Sequence, residues 1–322
     1  IGSGPAGMAA SAYLTQNGYQ VDVFEKNDRA GGLMIYGIPN FKLDKKIVER
    51  RTEWLLESGV KFNLNMEVGK NISFQDLEKD YDAILIATGV YKARQLDIDT
   101  SSVNNSIPAL DFLIESNRTG LGDSPSNNKF LTAKDKSVVV IGGGDTAMDC
   151  VRTAIRQQAK EVTCLYRRNK ENMPGSAREV LNAEQEGIKF NWLSVPSKII
   201  SDNSTATSMT YKVAALGEVD ESGRRKPVDT GVEKQIKSDL IIQALGFEPE
   251  DLNHNFKTNI ELTSWKTVKV DFKKFQTSNP KIFAAGDIVR GASLVVWAIH
   301  DGREVAKSIH NFLQSSKIKK AS

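Results

Sequence analysis

Cysteine is almost absent from the sequence, which has two among 322 residues. Cys150 and Cys164 do not form a CxxC pair, so the chain alone supplies neither a dithiol redox centre nor the ligands of an iron–sulfur cluster. We expect both thiols to be free and buried, because Cys150 falls on a predicted helix and Cys164 on a predicted strand. So few cysteines are typical of a reducing compartment, and we predict a cytoplasmic protein.

Long apolar runs, strong net charge and abundant histidine are absent as well. No stretch is apolar for the roughly 20 residues that a membrane-spanning helix needs. The net charge of +3 is too small to indicate a nucleic-acid-binding surface. Of the three histidines, His300 and His310 fall in the last predicted helix, and we assign them no role. We therefore expect a globular protein without a metal site, whose length indicates two domains.

The most informative stretch is 137–168, which reads SVVVIGGGDTAMDCVRTAIRQQAKEVTCLYRR. Its β-branched run at 138–141 predicts a strand buried on both faces. Three glycines then turn the chain, residues 145–158 have helical spacing, and 162–166 predicts a second strand. Strand, glycine turn, helix and strand in this order form a dinucleotide-binding unit, in which phosphates meet the positive end of the helix.

Arg167 and Arg168 follow the second strand of this unit. A site for NAD normally carries Asp or Glu there, which accepts hydrogen bonds from the ribose hydroxyls. Two guanidinium groups suit a 2′-phosphate instead. The alternative is a solvated pair of charges on a loop, but their position favours NADP(H). Arg178, in the first turn of the next predicted helix, faces either the same phosphate or solvent.

A second copy of the pattern opens the chain with IGSGPAG, whose glycines stand at positions 2, 4 and 7. A predicted helix from Met8 to Asn17 and a strand from Val21 to Phe24 follow, and Glu25 occupies the ribose position. An acid there suits the unphosphorylated adenosine ribose of FAD or NAD, whereas the alternative is a surface glutamate. An acid in one copy and two arginines in the other predict two different dinucleotides, FAD and NADPH. Because the chain begins inside a motif, we expect it to be a fragment of a longer protein.

Two further segments parallel each other. DAILIATG at 82–89 and SDLIIQALG at 238–246 predict buried strands that end in small residues, which leave room for a ligand. Near the carboxyl end, KIFAAGDIVRG at 281–291 predicts a strand with Asp287 at its tip, followed by a helix over 293–313. An acid there suits a sugar or ribityl hydroxyl of a flavin nucleotide, and the following helix N-terminus suits the negative charge of a reduced flavin ring.

These repeats predict an α/β protein with two Rossmann-like dinucleotide-binding domains, the NADPH domain inserted into the FAD domain. We expect the first part of the FAD-binding domain at 1–98 and a crossover rich in Ser, Asn, Gly and Asp at 99–135. The NADPH-binding domain is then expected at 136–250, and the second part of the FAD-binding domain at 251–322.

Smaller predictions concern three local features. Ser176 and Glu179 have the spacing of a capping box at the start of a helix. The polar stretch 217–231 predicts a solvated hairpin end. Trp297 packs either near a flavin or in the core, and core packing is the commoner fate.

The motifs together resemble the small (β) subunit of NADPH-dependent glutamate synthase. The segments that carry this resemblance, over nearly the whole chain, are IGSGPAG, AGGLMIYGIPNFKL, DAILIATG, GGGDTAMDC, CLYRR, NMPGS and AAGDIVRGASLVVWAIHDGRE. The FAD/NADPH part of dihydropyrimidine dehydrogenase and the NADPH:ferredoxin oxidoreductase subunits are similar as well.

The resemblance implies two sets of cofactor contacts. The FAD set comprises Gly2, Gly4, Pro5, Ala6, Gly7, Glu25, Lys26, Gly32, Leu33, Lys42, Val68, Gly286 and Asp287. The NADP set comprises Gly143, Gly144, Asp145, Thr146, Arg167, Arg168, Ala244, Leu245 and Gly246. A carboxylate at position 145 should repel a pyrophosphate, so the nicotinamide ribose is the alternative partner of Asp145.

By the same resemblance, the chain is a flavoprotein electron-input module in which NADPH transfers hydride to FAD. The cofactors carry this chemistry, so we name no catalytic residue and no metal ligand. Electrons are expected to pass through iron–sulfur clusters, whose ligands would lie in an N-terminal segment outside this sequence. They would reach a large subunit with FMN and iron–sulfur clusters, which makes glutamate from glutamine and 2-oxoglutarate.

Two alternatives stay open at this point. One is an NADPH:ferredoxin oxidoreductase or dihydropyrimidine dehydrogenase-like module, and the other is a nucleotide-binding scaffold without turnover. Neither nucleic acid nor a membrane is an expected partner.

Overall fold

The computed structural model describes residues 1–219, 223 and 225–321, with side chains up to residue 315. The chain divides into two compact units, one formed by 1–92 and 247–322 and the other by 93–246. The second unit is thus an insertion in the first. The boundaries fall at 92/93 and 246/247, several residues before the expected ones.

In chain order, the helices and strands are α1 (Pro5–Gln16), β1 (Asp22–Phe24), α2 (Leu33–Tyr36), α3 (Lys45–Glu57), β2 (Lys61–Asn63), α4 (Phe74–Asp80), β3 (Ile84–Ile86), β4 (Lys92–Ala93), β5 (Ser106–Pro108), α5 (Ala109–Gly120), β6 (Ser137–Ile141), α6 (Asp145–Arg156), β7 (Glu161–Leu165), α7 (Ala177–Gln185), β8 (Lys189–Asn191), β9 (Ser194–Asp202), β10 (Thr205–Val219), β11 (Arg225–Lys237), β12 (Leu240–Gln243), β13 (Phe247–Glu248), α8 (Leu252–Phe256), β14 (Ile282–Ala284), α9 (Asp287–Arg290) and α10 (Val295–Ala321). Short 3₁₀ turns lie at Lys129–Leu131 and Lys170–Asn172.

The inserted unit is built on a five-stranded parallel sheet in the order β5-β12-β6-β7-β8. Strand β6 lies at its centre with all five residues buried, as its β-branched run predicts. Helices α5, α6 and α7 contribute buried apolar residues to the core on the sheet. Strands β9, β10 and β11 form a separate antiparallel sheet.

The stretch 99–135 differs from the expected crossover. Its residues 106–108 form the edge strand β5, paired with β12 through Ile107 and Ile242. Phe112 and Leu113 of the following helix α5 are fully or nearly fully buried in the core of the inserted unit. Burial of these apolar side chains therefore makes the segment part of the inserted unit rather than a crossover outside it. The predicted hairpin end at 217–231 lies partly in the ends of β10 and β11, and its residues 220–222 and 224 lie outside the described residues.

The other unit contains two parallel strand pairs, β1 with β2 and β14 with β3. Ile1 bridges them: its nitrogen donates to the carbonyl of Leu85 at 2.7 Å, and its own carbonyl accepts from Ala87 N at 2.8 Å. Gly2 N donates to Phe24 O at 2.8 Å. A cavity of about 780 Å³ lies beside this bridge, lined by residues of α1, β1, β3 and the second half of α10.

Helix α1 begins with Pro5 at its first position, where a missing N–H costs nothing. It packs against α10, and a side chain on Gly302 would clash with the carbonyl oxygen of Ala6. Small residues on both helices thus allow close approach. Among the helices of the described residues, none is long and apolar enough to span a membrane.

Candidate dinucleotide-binding sites

The first glycine turn leads from Ile1 into helix α1. Gly2 has φ +99°, and a Cβ on it would overlap the carbonyl oxygen of Ala87. Gly4, in contrast, has φ −66° and nothing within 4 Å of the position of a Cβ. Gly2 is therefore required by the fold, whereas Gly4 leaves the helix N-terminus open to a ligand.

The second glycine turn repeats this geometry between β6 and α6. Gly142 has φ +147°, and a Cβ there would overlap the carbonyl oxygen of Ala244. Gly144 again has nothing within 4 Å. Ala244 N donates to Ile141 O at 2.8 Å, as Ala87 N does to Ile1 O. The two copies thus have the same backbone geometry, and in each a glycine with free space around its Cβ position stands at the start of a helix.

The two copies share a further signal that the glycine motifs do not reveal. Strands β2 and β8 both read Lys-Phe-Asn, at 61–63 and 189–191. Each pairs in parallel with the strand that follows its glycine turn and helix, β1 in one copy and β7 in the other. A search for repeats rather than for fingerprints would have found this third strand of each unit.

Glu25, at the ribose position of the first copy, is 5% exposed. One carboxylate oxygen accepts from the nitrogen and hydroxyl of Ser3 at 3.0 and 2.6 Å. The other accepts from the backbone and side-chain nitrogens of Asn27 at 2.9 and 2.7 Å. A carboxylate has about four acceptor positions, so ribose hydroxyls would have to displace the Ser3 hydroxyl or the Asn27 amide.

A buried orphan atom lies beside the same turn. The hydroxyl oxygen of Thr88, which directly follows Ala87, has no hydrogen-bond partner within the described part of the chain. Leaving such a group unpaired is costly. A polar ligand at the turn would satisfy it. The unpaired Thr88 hydroxyl and the free space at Gly4 are together suited to a nucleotide phosphate at the first glycine turn.

The remaining residues of the predicted FAD set lie in different settings. Lys26 places its ammonium 4.5 Å from the ring centroid of Tyr91 and 3.6 Å from Glu250. Val68 is 5% exposed and belongs to the apolar core. Pro5, Ala6 and Gly7 form the first turn of α1, Gly32 and Leu33 lie at the start of α2, Lys42 is exposed, and Gly286 precedes α9.

Asp287 is the first residue of α9 and is half-buried. Burial raises its pKa to about 6, the nearby Asp301 adds to the rise, and a hydrogen bond from the Ser293 amide opposes it. Asp301 itself is fully buried and pairs with both Nε and Nη2 of Arg290. The Arg290 guanidinium also lies 5.5 Å from the ring centroid of Trp297, which is 49% exposed. The expected core packing of Trp297 is therefore wrong.

The side chains of Arg167 and Arg168 lie in different environments. Arg167 is exposed. Arg168 is 3% exposed, and its Nε donates to the carbonyl oxygen of Arg225 at 2.7 Å. Arg168 thus secures the end of β7 to the start of β11. Arg178 is exposed on the first turn of α7.

Asp145 has a partner that the sequence did not suggest. Its Oδ1 accepts from the backbone nitrogen of Ser176 at 2.9 Å. The Ser176 side chain makes no capping hydrogen bond, and Glu179 instead accepts from Arg152 at 2.7 Å. The predicted capping box is therefore wrong, because a buried arginine on α6 is the stronger partner for Glu179.

The rest of the predicted NADP set surrounds the second turn. Gly143 packs against Tyr166, whose ring a Cβ on Gly143 would overlap. Thr146 is half-buried in the first turn of α6, Ala244 is buried, and Leu245 is half-buried. Gly246 has φ +90°. Sequence reasoning missed Tyr166, which only a tertiary contact brings to the turn.

Both thiols are buried, as predicted. Cys150 lies on α6 and Cys164 on β7, and burial raises the pKa of each thiol, that of Cys164 to about 12. These thiols are thus poor nucleophiles. Among the described residues, no group of three or more His, Cys, Asp or Glu side chains could hold a metal ion.

Comparison with known proteins decides the family. The profile of the pyridine nucleotide-disulphide oxidoreductases matches residues 1–302. The chain belongs to this family. Within it, the chain is 50% identical to the glutamate synthase (NADPH) small chain of Azospirillum brasilense, over 98% of the chain and 66% of that relative. It is 42% identical to the corresponding small chain of Escherichia coli K12, over 98% of the chain and 68% of the relative.

The predicted resemblance to glutamate synthase small subunits is thereby confirmed. The chain spans about two thirds of the length of these two relatives. It is also 37% identical to the NADP(+)-dependent formate dehydrogenase subunit beta of Moorella thermoacetica, over 98% of the chain but 43% of that relative. Proteins with different names thus contain a module of this kind.

Solved structures confirm the predicted fold class. Mycobacterium tuberculosis FprA in complex with NADPH has a TM-score of 0.80 and 19% identity, covering 99% of this chain and 84% of FprA. Thioredoxin reductase of T. acidophilum has a TM-score of 0.74 and 20% identity, covering 98% and 96%. At such identities the likeness concerns the fold alone: two Rossmann-like domains, one inserted in the other.

Proposed function

We propose that the chain is the NADPH-oxidising flavoprotein module of a glutamate synthase. The observation that carries the proposal is the pair of glycine turns, which share one backbone geometry but differ in the charge that follows the second strand. Glu25 follows β1 and Arg167 follows β7. A buried carboxylate suits an unphosphorylated ribose, as in FAD, whereas an exposed guanidinium suits the 2′-phosphate of NADPH.

In this proposal, the unit formed by 1–92 and 247–322 holds FAD. The backbone N–H groups at Gly4 and the N-terminus of α1 donate to its phosphates, and the Thr88 hydroxyl gains a partner. The Asp287 carboxylate accepts a hydrogen bond from a sugar or ribityl hydroxyl, because a pKa of about 6 still leaves it mostly ionised at neutral pH. Bound FAD supplies the two-electron acceptor, so the chain needs no acid or base of its own.

The inserted unit binds NADPH. The backbone N–H groups at Gly144 and the N-terminus of α6 donate to the pyrophosphate, and the Arg167 guanidinium donates to the 2′-phosphate. Arg168 contributes by fixing the backbone on which Arg167 stands, since it is buried and bonded to the Arg225 carbonyl.

Electrons leave the module for a partner. The relatives named as glutamate synthase small chains support a large subunit as that partner. The two buried, unpaired cysteines support a reducing compartment such as the cytoplasm. We propose that iron–sulfur clusters on the route are ligated outside this chain, because both of its cysteines are buried in the inserted unit.

The likeness to a formate dehydrogenase subunit favours a second candidate, an NADPH-linked module that serves another acceptor. Two measurements separate the possibilities. Anaerobic NADPH should bleach the flavin absorption of the FAD-loaded chain, and NADH should do so far more slowly. A scaffold would show no bleaching. Glutamate formation on reconstitution with a glutamate synthase large subunit supports the first candidate, and bleaching without it supports the second.

A further inference from the structure

The loop 172–176 is held on the second glycine turn by two consecutive amides. Gly175 N donates to Gly143 O at 2.9 Å, and Ser176 N donates to Asp145 Oδ1 at 2.9 Å. A Cβ on Gly175 would lie 3.0 Å from the Gly143 carbonyl oxygen, so the two backbones are in close contact. Loop and turn therefore form a continuous surface.

Tyr166 contacts both the glycine turn and the loop. Its ring packs against Gly143, and its hydroxyl donates to the carbonyl oxygen of Asn172 at 2.8 Å. The charged side chain of Asp145 reaches across from the turn to the loop. The carboxylate of Asp145 accepts from the backbone N–H of Ser176, the N-cap of α7, which is the bond that Glu179 would make in a capping box.

We propose that Asp145 is a positioning residue that fixes loop 172–176 against the glycine turn, so that both are preformed for the phosphates of NADPH. This inference rests on the proposed NADPH site. It also accounts for a carboxylate beside a pyrophosphate site: its charge is compensated by the first turn of α6 and by the Ser176 amide of α7. The carboxylate is thus committed to the protein rather than to the ligand.

The test uses three variants and hydrogen exchange in the chain without nucleotide. Asp145→Ala removes the acceptor, and Asp145→Asn keeps an oxygen at the same place. Ser176→Pro removes the donor together with the serine hydroxyl, at a φ of −56° that proline adopts. We expect exchange of the Ser176 amide to accelerate about tenfold or more in Asp145→Ala, the weight of one hydrogen bond to a charged group. Asp145→Asn should lie between Asp145→Ala and the unchanged chain.

Kinetics with NADPH then report the consequence. Asp145→Ala and Ser176→Pro should each raise KM for NADPH about tenfold with little change in kcat. The double variant should be no worse than either single one, because both remove the same bond. Glu171→Gln, an acid-to-amide change on the exposed 3₁₀ turn before the loop, is the matched control and should alter neither measurement.

Three results would overturn the inference. Unchanged exchange in Asp145→Ala would show that the carboxylate does not hold the loop, and would leave the proposed function intact. Faster exchange with unchanged or lower KM would show that the loop does not serve the nucleotide. No NADPH oxidation by the unchanged FAD-loaded chain would remove the proposed function together with this inference, whatever the exchange rates.

Discussion

The carbonyl oxygen of Ala244 occupies the place where a Cβ on Gly142 would have to be. Two residues later, Gly144 faces open space. One glycine is thus required by the protein and the other by the ligand that we propose. We therefore expect a substitution of Gly142 to lower stability and a substitution of Gly144 to weaken nucleotide binding.

Gly142→Ala should destabilise the fold, by more than about 1 kcal/mol, because φ is +147° and the backbone of Ala244 cannot yield easily. Gly144→Ala should leave the melting temperature nearly unchanged, since φ is −90°, but raise KM for NADPH at least about tenfold. Thermal unfolding and steady-state kinetics check both. Gly2→Ala and Gly4→Ala are the matched pair for FAD retention. Equal destabilisation by Gly142→Ala and Gly144→Ala would contradict the prediction.

Coenzyme preference should depend chiefly on Arg167. Arg167→Ala should lower kcat/KM for NADPH about tenfold to a hundredfold, the range expected for a hydrogen bond to a charged group, and leave NADH unaffected. Arg168→Ala should instead lower the melting temperature, because this buried side chain bonds the Arg225 carbonyl. Lys160→Ala, which removes an exposed charge just before β7, is the control for a surface charge in the inserted unit. If the Arg167/Arg168 double variant discriminates as well as the unchanged chain, the NADPH assignment is wrong.

Glu186 should make stability depend on acidic pH. Burial alone would raise the pKa of Glu186, but hydrogen bonds from Arg156 and Arg152 have the larger combined effect and lower it to about 2. Because the pKa is lower in the folded chain than in the unfolded one, this stabilisation is full above about pH 4.5 and is lost as the pH falls towards 2. Glu186→Gln should cost about 2 kcal/mol in urea unfolding at pH 7 and much less near pH 2. A cost independent of pH would refute the ion-pair assignment.

Asp287 should give the stability of the folded chain a pH dependence opposite to that from Glu186. Its pKa is raised to about 6 by burial, so the folded chain binds a proton more tightly than the unfolded one. The stabilisation from protonation is therefore present below about pH 4 and is lost as the pH rises through 6. In the FAD-free chain, the melting temperature of Asp287→Asn relative to the unchanged chain should rise between pH 4 and pH 7. A constant difference across this range would count against a buried carboxyl.

The sequence predicted the parts of the sites that depend on local pattern. The run 138–141, the glycine spacing and the helix after each turn follow from side-chain period and backbone freedom, and all are present. The burial of Arg168 was not predictable in the same way, because its partner Arg225 lies 57 residues away on another sheet. Long-range contacts of this kind leave no periodic trace in the chain.

Competition between partners explains the other differences. The spacing of Ser176 and Glu179 is correct for a capping box, but Arg152 takes Glu179 and Asp145 takes the Ser176 amide. Glu25 keeps the ribose position that its spacing predicts, but the sequence did not reveal that Ser3 and Asn27 donate to its oxygens, so a ribose hydroxyl has to displace one of these donors. Spacing predicts which residues could interact locally, whereas tertiary packing selects among the available partners.

The Lys-Phe-Asn strands at 61–63 and 189–191 stand at equivalent places in two units that otherwise share few residues. The common strands and turns maintain the architecture of both copies, whereas we propose that the different residues after the second strand, Glu25 and Arg167, select the nucleotide. Engineering this protein to use another coenzyme should therefore begin at the loop after β7 and leave the duplicated framework untouched.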